Sequence, residues 1–294
     1  MQSPSLPSRR LLLVGLATLP LSAPNFGQTT ASPAVPSPTE EVPYVQTPPL
    51  LVRRMLQMAE VTPRDLIWDL GSGDGRIVIA AAKDFGARGV GYEIDPALIR
   101  ESRVLARKAG VASKTQFLER DLFELSFSQP TVVTLYLLPE YNAKLKPLLL
   151  AQLRPGSRVV SHEWDMGDWL PDETLLLPAP DKPHGTKKEH RVMLWVIPAS
   201  AAGSWRITLP NQQALVEIAI EQRYQVVTAT ANRGKVLWSS LRGNAMAVAW
   251  QDESARWLLR GRVNGNRWQG NVTKLDAWSN TTSQQSARFN ALRR

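Results

Sequence analysis

Between Pro49 and Trp164 short apolar runs alternate with stretches of helical period, and this alternation restricts the fold more than any other feature. "PPLLVRRMLQMAEV" places Leu51, Met55, Leu56 and Met58/Ala59 at helical spacing and stops before Pro63. "DLIWDL" (65–70) then predicts a short buried strand, "GRIVIAAAKDFG" a helix, and "GVGYEI" (89–94) a second strand. A helix with Pro96 in its first turn and Gly110 at its end follows, then strands at 115–121 and 131–138. "EYNAKLKPLLLAQLRPG" predicts a helix broken or kinked at Pro147, and 157–164 a fifth strand. "ETLLLP" and "HRVMLWVIP" form an antiparallel pair of strands. Such an order gives an α/β fold, a mostly parallel sheet with helices on both faces.

The first strand runs into "DLGSGDG". In sheets of this kind ligands bind beyond the carboxyl ends of the strands, where the strand order reverses. Gly71, Gly73 and Gly75 let the chain turn sharply there and bring backbone N–H groups against a ligand. Their spacing is not the dinucleotide fingerprint, and no Gly-Lys-Ser/Thr follows, so a triphosphate loop is excluded. Asp69 ends the strand where it would repel a phosphate, and suits an ammonium or sulfonium instead. Glu93, 20 residues past Gly73 at the end of the second strand, can hold both hydroxyls of a ribose. Asp121, at the end of the third, can accept from an adenine amino group.

"IWDLGSGDG", "GYEID" and "FLERDLFEL" together resemble the class I S-adenosylmethionine-dependent methyltransferases, over about Val42 to Ile197. "VPYVQTPPLLVRRMLQMAEV" and "VVTLYLLPEYNAKLKPLLLAQLRPGSRVVSHEWDMGDW" add a closer similarity, to the family of the ATP synthase c-subunit lysine methyltransferase. The resemblance implies a Rossmann-like seven-stranded sheet, S-adenosyl-L-methionine as cofactor, and a protein lysine as acceptor. It also implies that Tyr44 and Thr47 lie near the methionine end of the cofactor. Asp69, Gly71, Ser72, Gly73 and Gly75 would line it, Glu93 would hold the ribose, and Asp121 with Leu122 the adenine.

The acceptor side is expected at the end of the fourth strand, "TLYLLPEYN". Tyr136, Pro139, Glu140 and Tyr141 are the candidates there, with Tyr136 and Glu140 as catalytic residues. Tyr136 can orient an amine through its hydroxyl. Glu140 either attracts the cation or caps the following helix. His162 and Glu163, closing the fifth strand, are either proton carriers at the acceptor or partners within their own loop. "DKPHGTKKEH" (181–190) predicts a hairpin turn with Lys187 and Lys188 in solvent.

Outside this core, "SRRLLLVGLATLPLSAPNFGQTTASPA" carries Arg9 and Arg10 ahead of an apolar run from Leu11 to about Ala23. Spanning a bilayer takes ~20 apolar residues, so residues 1–34 are expected to be an export signal, loosely of twin-arginine type, or a membrane anchor. The expected location is the periplasm or cell envelope, against membrane-anchored or cytoplasmic alternatives, with membrane association through this segment. Residues 35–47 read as a flexible linker and the start of a cofactor lid, and 48–199 as the methyltransferase domain.

From Gly203 onward the pattern is short β-prone runs separated by turns such as Asn264-Gly-Asn266, which predicts an antiparallel sandwich or barrel over 203–294. This part holds 13 Lys or Arg against five acids, nearly all of the net charge of +9. Its six tryptophans (205, 238, 250, 257, 268, 278) form either a core or an exposed stacking platform. The chain has no cysteine, which excludes disulfides and thiolate chemistry, and its three histidines form no HExxH-like pair, so no metal site is expected. The expected partner is a protein substrate, membrane protein included, or a small molecule, and not nucleic acid. The rival to an enzyme is a non-catalytic envelope-binding module on the same fold.

Overall fold

The computed structural model describes residues 44–179, 188–208, 216–253, 255–275 and 286–294. The N-terminal segment, residues 181–187 of the "DKPHGTKKEH" turn, and Trp278 lie outside the described residues. Among those described, no helix is long and apolar enough to cross a membrane.

The elements of the first sheet are α1 (Pro49–Met58), β1 (Leu66–Leu70), α2 (Arg76–Asp84), β2 (Arg88–Glu93), α3 (Pro96–Lys108), β3 (Thr115–Glu119), β4 (Val132–Leu135), α4 (Pro139–Gln152), β5 (Arg158–His162), β6 (Glu173–Pro178) and β7 (Glu189–Val196). The strands lie in the order β3-β2-β1-β4-β5-β7-β6, with β7 antiparallel to both of its neighbours. Helices cover both faces, so the strands are nearly continuous apolar runs rather than alternating ones. Ile67, Val132, Val160 and Val192 pack on one face with Leu51, Met55 and Leu56 of α1. Trp68, Leu70, Val133 and Leu135 pack on the other with Leu145 and Leu149 of α4.

Several local expectations are corrected. α4 continues through Pro147 without the expected break. An interior proline costs a helix about 3 kcal/mol, and burial of Leu145 and Leu149 against the sheet offsets that penalty. β3 ends at Glu119, so Asp121 lies two residues past the strand, where its carboxylate caps a 3-10 turn at Leu122–Glu124. Glu163 likewise follows β5, in the left-handed region at φ 69°.

The second sheet has eight antiparallel strands: β8 (Gly203–Thr208), β9 (Val216–Arg223), β10 (Val226–Ala231), β11 (Lys235–Arg242), β12 (Ala245–Gln251), β13 (Arg256–Asn264), β14 (Arg267–Leu275) and β15 (Ser286–Arg293). Their order is β10-β9-β8-β15-β14-β13-β12-β11. β9 turns into β10 at Tyr224, whose φ is 54°. β15, which the sequence did not mark, supplies the strand between β8 and β14. The sheet curls until its edges meet, Ser239 Oγ of β11 donating to the Val227 carbonyl of β10 at 2.8 Å. It is therefore nearly a barrel. Trp205, Trp250 and Trp268 are buried in its core, as the core reading of the tryptophans requires, whereas Trp238 is about half exposed.

The barrel is fastened to the first sheet. Trp169 Nε1 donates to Gln225 Oε1 at 2.8 Å, Arg223 and Tyr224 meet Asp168, and Arg242 pairs with Glu173 at 2.6 Å.

Candidate functional site

The strand order reverses between β1 and β4, and the crevice at their carboxyl ends is where the fold leaves room for a ligand. Asp69 sits there opposite Thr134 in the parallel ladder, and the Thr134 hydroxyl donates to Asp69 Oδ1 at 2.7 Å. The carboxylate is buried. Burial pushes its pKa up to about 7; the Thr134 hydrogen bond opposes this, and the charges of Glu93 and Asp74 add to it. Such a group is stabilised by a cation brought beside it.

The turn after Asp69 folds back on β2, Gly71 and Ser72 both donating to the Tyr92 carbonyl at 2.9 Å. Gly75 occupies the left-handed region at φ 79° and starts α2; a Cβ there would collide with the Phe117 ring. A Cβ on Gly73 would come within 2.5 Å of the Tyr44 ring, so Tyr44 and the turn touch. Glu93 accepts from the amides of Gly73 and Ile94, each at 2.8 Å, and of Asp95 at 3.1 Å. Asp121 is exposed and accepts from Phe123 N at 2.8 Å, while Leu122 is half-buried. Ser72 Oγ is buried with no hydrogen-bond partner among the described residues. That unused hydroxyl and the buried Asp69 carboxylate fit a polar, cationic ligand along the turn.

Sequence reasoning missed the clamp that holds Tyr44 and Thr47. Arg76 forks onto Asp74, Nε to Oδ1 at 2.9 Å and a terminal nitrogen to Oδ2 at 2.6 Å, and its other nitrogen donates to the Thr47 carbonyl at 2.9 Å. Burial raises the Asp74 pKa, but the Arg76 hydrogen bonds and charge outweigh it and leave it below the ordinary carboxylate value. The Asp74 amide donates to the Tyr44 hydroxyl at 3.2 Å. Tyr44 and Thr47 are thus tied to the glycine turn through one charged pair.

At the end of β4, Tyr136 lies against the His162 ring, centroids 4.1 Å apart. Burial, with the charge of Glu163, raises its pKa and keeps the phenol protonated. His162 is buried, its Nδ1 3.2 Å from Thr47 Oγ1. Its Nε2 is 3.2 Å from Nδ1 of His190, which is itself 2.9 Å from Glu163 Oε1. His190 belongs with this group, and its place at the start of "HRVMLWVIP" gave no sign of that. Glu140 is exposed in the first turn of α4, where a carboxylate favours the helix dipole. Tyr141 stacks on Phe123, ring centroids 6.0 Å apart.

A doubly wound sheet with a glycine turn and acids at the ends of its first two strands defines a class I methyltransferase. The ANTKMT methyltransferase domain matches residues 69–173. A protein-lysine N-methyltransferase of Saccharolobus islandicus is 45% identical over 157 residues, 53% of this chain and 94% of that protein. The ATP synthase c-subunit lysine N-methyltransferase of Xenopus laevis is 37% identical over 131 residues, 45% of this chain and 57% of that one. A Salinibacter ruber structure described as an RNA methyltransferase in complex with S-adenosyl-L-homocysteine is 47% identical, with a TM-score of 0.48, covering 58% of this chain and 99% of its own. The chain belongs to the protein-lysine N-methyltransferase family and is an S-adenosylmethionine-dependent methyltransferase. The barrel from Gly203 onward lies beyond the matched domain.

Proposed function

We propose that this chain methylates the ε-amine of a lysine in a protein, a membrane protein included. The observation that carries the reading is the 45% identity to the Saccharolobus islandicus protein-lysine N-methyltransferase over nearly all of that protein. S-adenosylmethionine supplies a methyl group already activated by its sulfonium. The chain's own residues therefore have to position more than to polarise. Asp69 takes the cationic end of the donor, the Gly71–Gly75 turn and Ser72 line it, and Glu93 accepts from ribose hydroxyls. Tyr44 and Thr47, held by Arg76, close over it.

Only a free amine has a lone pair to attack with, so the acceptor must arrive deprotonated or shed its proton on entry. Tyr136 is suited to orient it. Its phenol stays neutral because it is half-buried, and its oxygen can accept from the amine without adding a charge that would hold the proton on.

The test is transfer of labelled methyl from S-adenosylmethionine by the full chain into envelope and soluble proteins, followed by residue-level mass spectrometry. Methyl-lysine is expected, and none with Asp69→Asn. Label recovered only in nucleic acid or in small molecules would overturn the lysine reading. Absence of any heat with S-adenosylhomocysteine at millimolar concentration would favour the binding module instead.

A further inference from the structure

Three ligand-type atoms, from the end of β5, the residue after it and β7, converge beside Tyr136. His162 Nε2 and His190 Nδ1 are 3.2 Å apart, His190 Nδ1 and Glu163 Oε1 2.9 Å, and His162 Nε2 and Glu163 Oε1 3.2 Å. We propose that His162, Glu163 and His190 bind a divalent first-row transition ion of the zinc type. This goes beyond the methyl-transfer reading and does not depend on it.

The first argument is proton counting. A closed triangle of two imidazole nitrogens and a carboxylate oxygen has three edges at hydrogen-bond length. An ionised carboxylate brings no hydrogen, and each neutral ring nitrogen brings at most one. Two protons cannot satisfy three edges, so one edge sets lone pair against lone pair or N–H against N–H. A cation at the centre satisfies all three contacts at once. With metal–nitrogen and metal–oxygen bonds of about 2.0–2.2 Å, tetrahedral ligand atoms stand roughly 3.3 Å apart, and these edges fall only a few tenths of an ångström short of that.

The second argument is backbone construction. Successive residues of a strand point to opposite faces, so His162 and Glu163 converge only if the chain turns between them. Glu163 does this at φ 69°, a conformation rare for a residue with a side chain. His162 lies opposite Val192 in the β5–β7 ladder, and His190 is two residues along on the same face.

The third is orientation. Thr47 Oγ1 lies 3.2 Å from His162 Nδ1 and can accept from it, which would leave Nε2 with a lone pair, the arrangement that outer-shell partners give to metal-bound histidines. The His162 side chain is 1% exposed, those of Glu163 and His190 15% and 18%, so the group is anchored at one end and reached by solvent at the other. Two imidazoles and one carboxylate are a donor set that zinc sites use. Two imidazoles favour zinc, cobalt, nickel or copper over magnesium or calcium.

The full chain, prepared without a histidine tag and stripped with chelator, is titrated with Co²⁺ and Zn²⁺. About one ion per chain is expected, with visible Co²⁺ bands that Zn²⁺ displaces. Glu163→Gln and His190→Ala should abolish the bands, and Thr47→Val should weaken binding about tenfold or more. S-adenosylhomocysteine binding by His190→Ala, read by calorimetry, shows that the variant is folded and keeps this result separate from the methyl-donor site. No Co²⁺ bands, or bands of undiminished strength in His190→Ala, would overturn the proposal.

Discussion

Replacing Asp69 by Asn should make the protein more stable and remove its affinity for the methyl donor. Asp69 has a folded pKa of about 7 against an ordinary 3.8, chiefly because it is buried. A carboxyl whose pKa is raised on folding contributes most below its unfolded value and loses that contribution as pH rises through the folded one. The loss spans about pH 4 to 7. At 1.36 kcal/mol per unit it amounts to roughly 4 kcal/mol above pH 7. Asparagine has nearly the same shape, keeps an oxygen for the Thr134 hydroxyl, and never ionises. The stability difference between Asp69→Asn and the parent, from denaturant unfolding, is therefore expected to be small near pH 4 and to grow to a few kcal/mol at pH 8. S-adenosylhomocysteine should narrow the gap by stabilising the parent alone. Its affinity for the parent should fall up to tenfold per pH unit below about 7, since the anion that receives the ligand's cation must first shed a proton. A stability difference that does not change with pH, or a variant no more stable at pH 8, would refute the assignment of a strained, buried acid.

Other consequences can be checked with single variants. Gly73→Ala puts a Cβ 2.5 Å from the Tyr44 ring at a position of positive φ, so calorimetry should find S-adenosylhomocysteine affinity reduced at least about tenfold. Trp268→Ala, in the middle of the barrel core, should lower unfolding stability by about 3–5 kcal/mol. Pro147→Ala restores an amide donor within α4 and should stabilise the protein by about 1–2 kcal/mol, visible as a raised denaturation midpoint. N-terminal sequencing of the protein from cell fractions is expected to find a start between residues 24 and 40; an intact Met1 in the soluble cytosol would refute the export reading.

The first sheet was legible because its information is local. Apolar runs, helical spacing and a glycine-rich turn each act over a few residues, and parallel strands between helices admit few arrangements. Asp69 and Glu93 could be picked out for the same reason, since a polar residue ending an apolar strand is visible in one line of sequence. The unbroken α4 was not, because the penalty at Pro147 is local while the packing of Leu145 and Leu149 that offsets it is not. The barrel's closure was only half legible: short strands and turns indicate an antiparallel β domain, but whether its edges meet depends on curvature shared among eight strands. Nor could sequence spacing bring His190 to His162 across 28 residues, or Thr47 across 115. Those contacts depend on the antiparallel return of β7 and on the segment before α1 reaching the end of β5. The sequence by itself determined the sheet and its carboxylate-lined turn; tertiary structure alone decided which distant side chains gather around His162, because three-dimensional proximity between strands leaves no periodic trace along the chain.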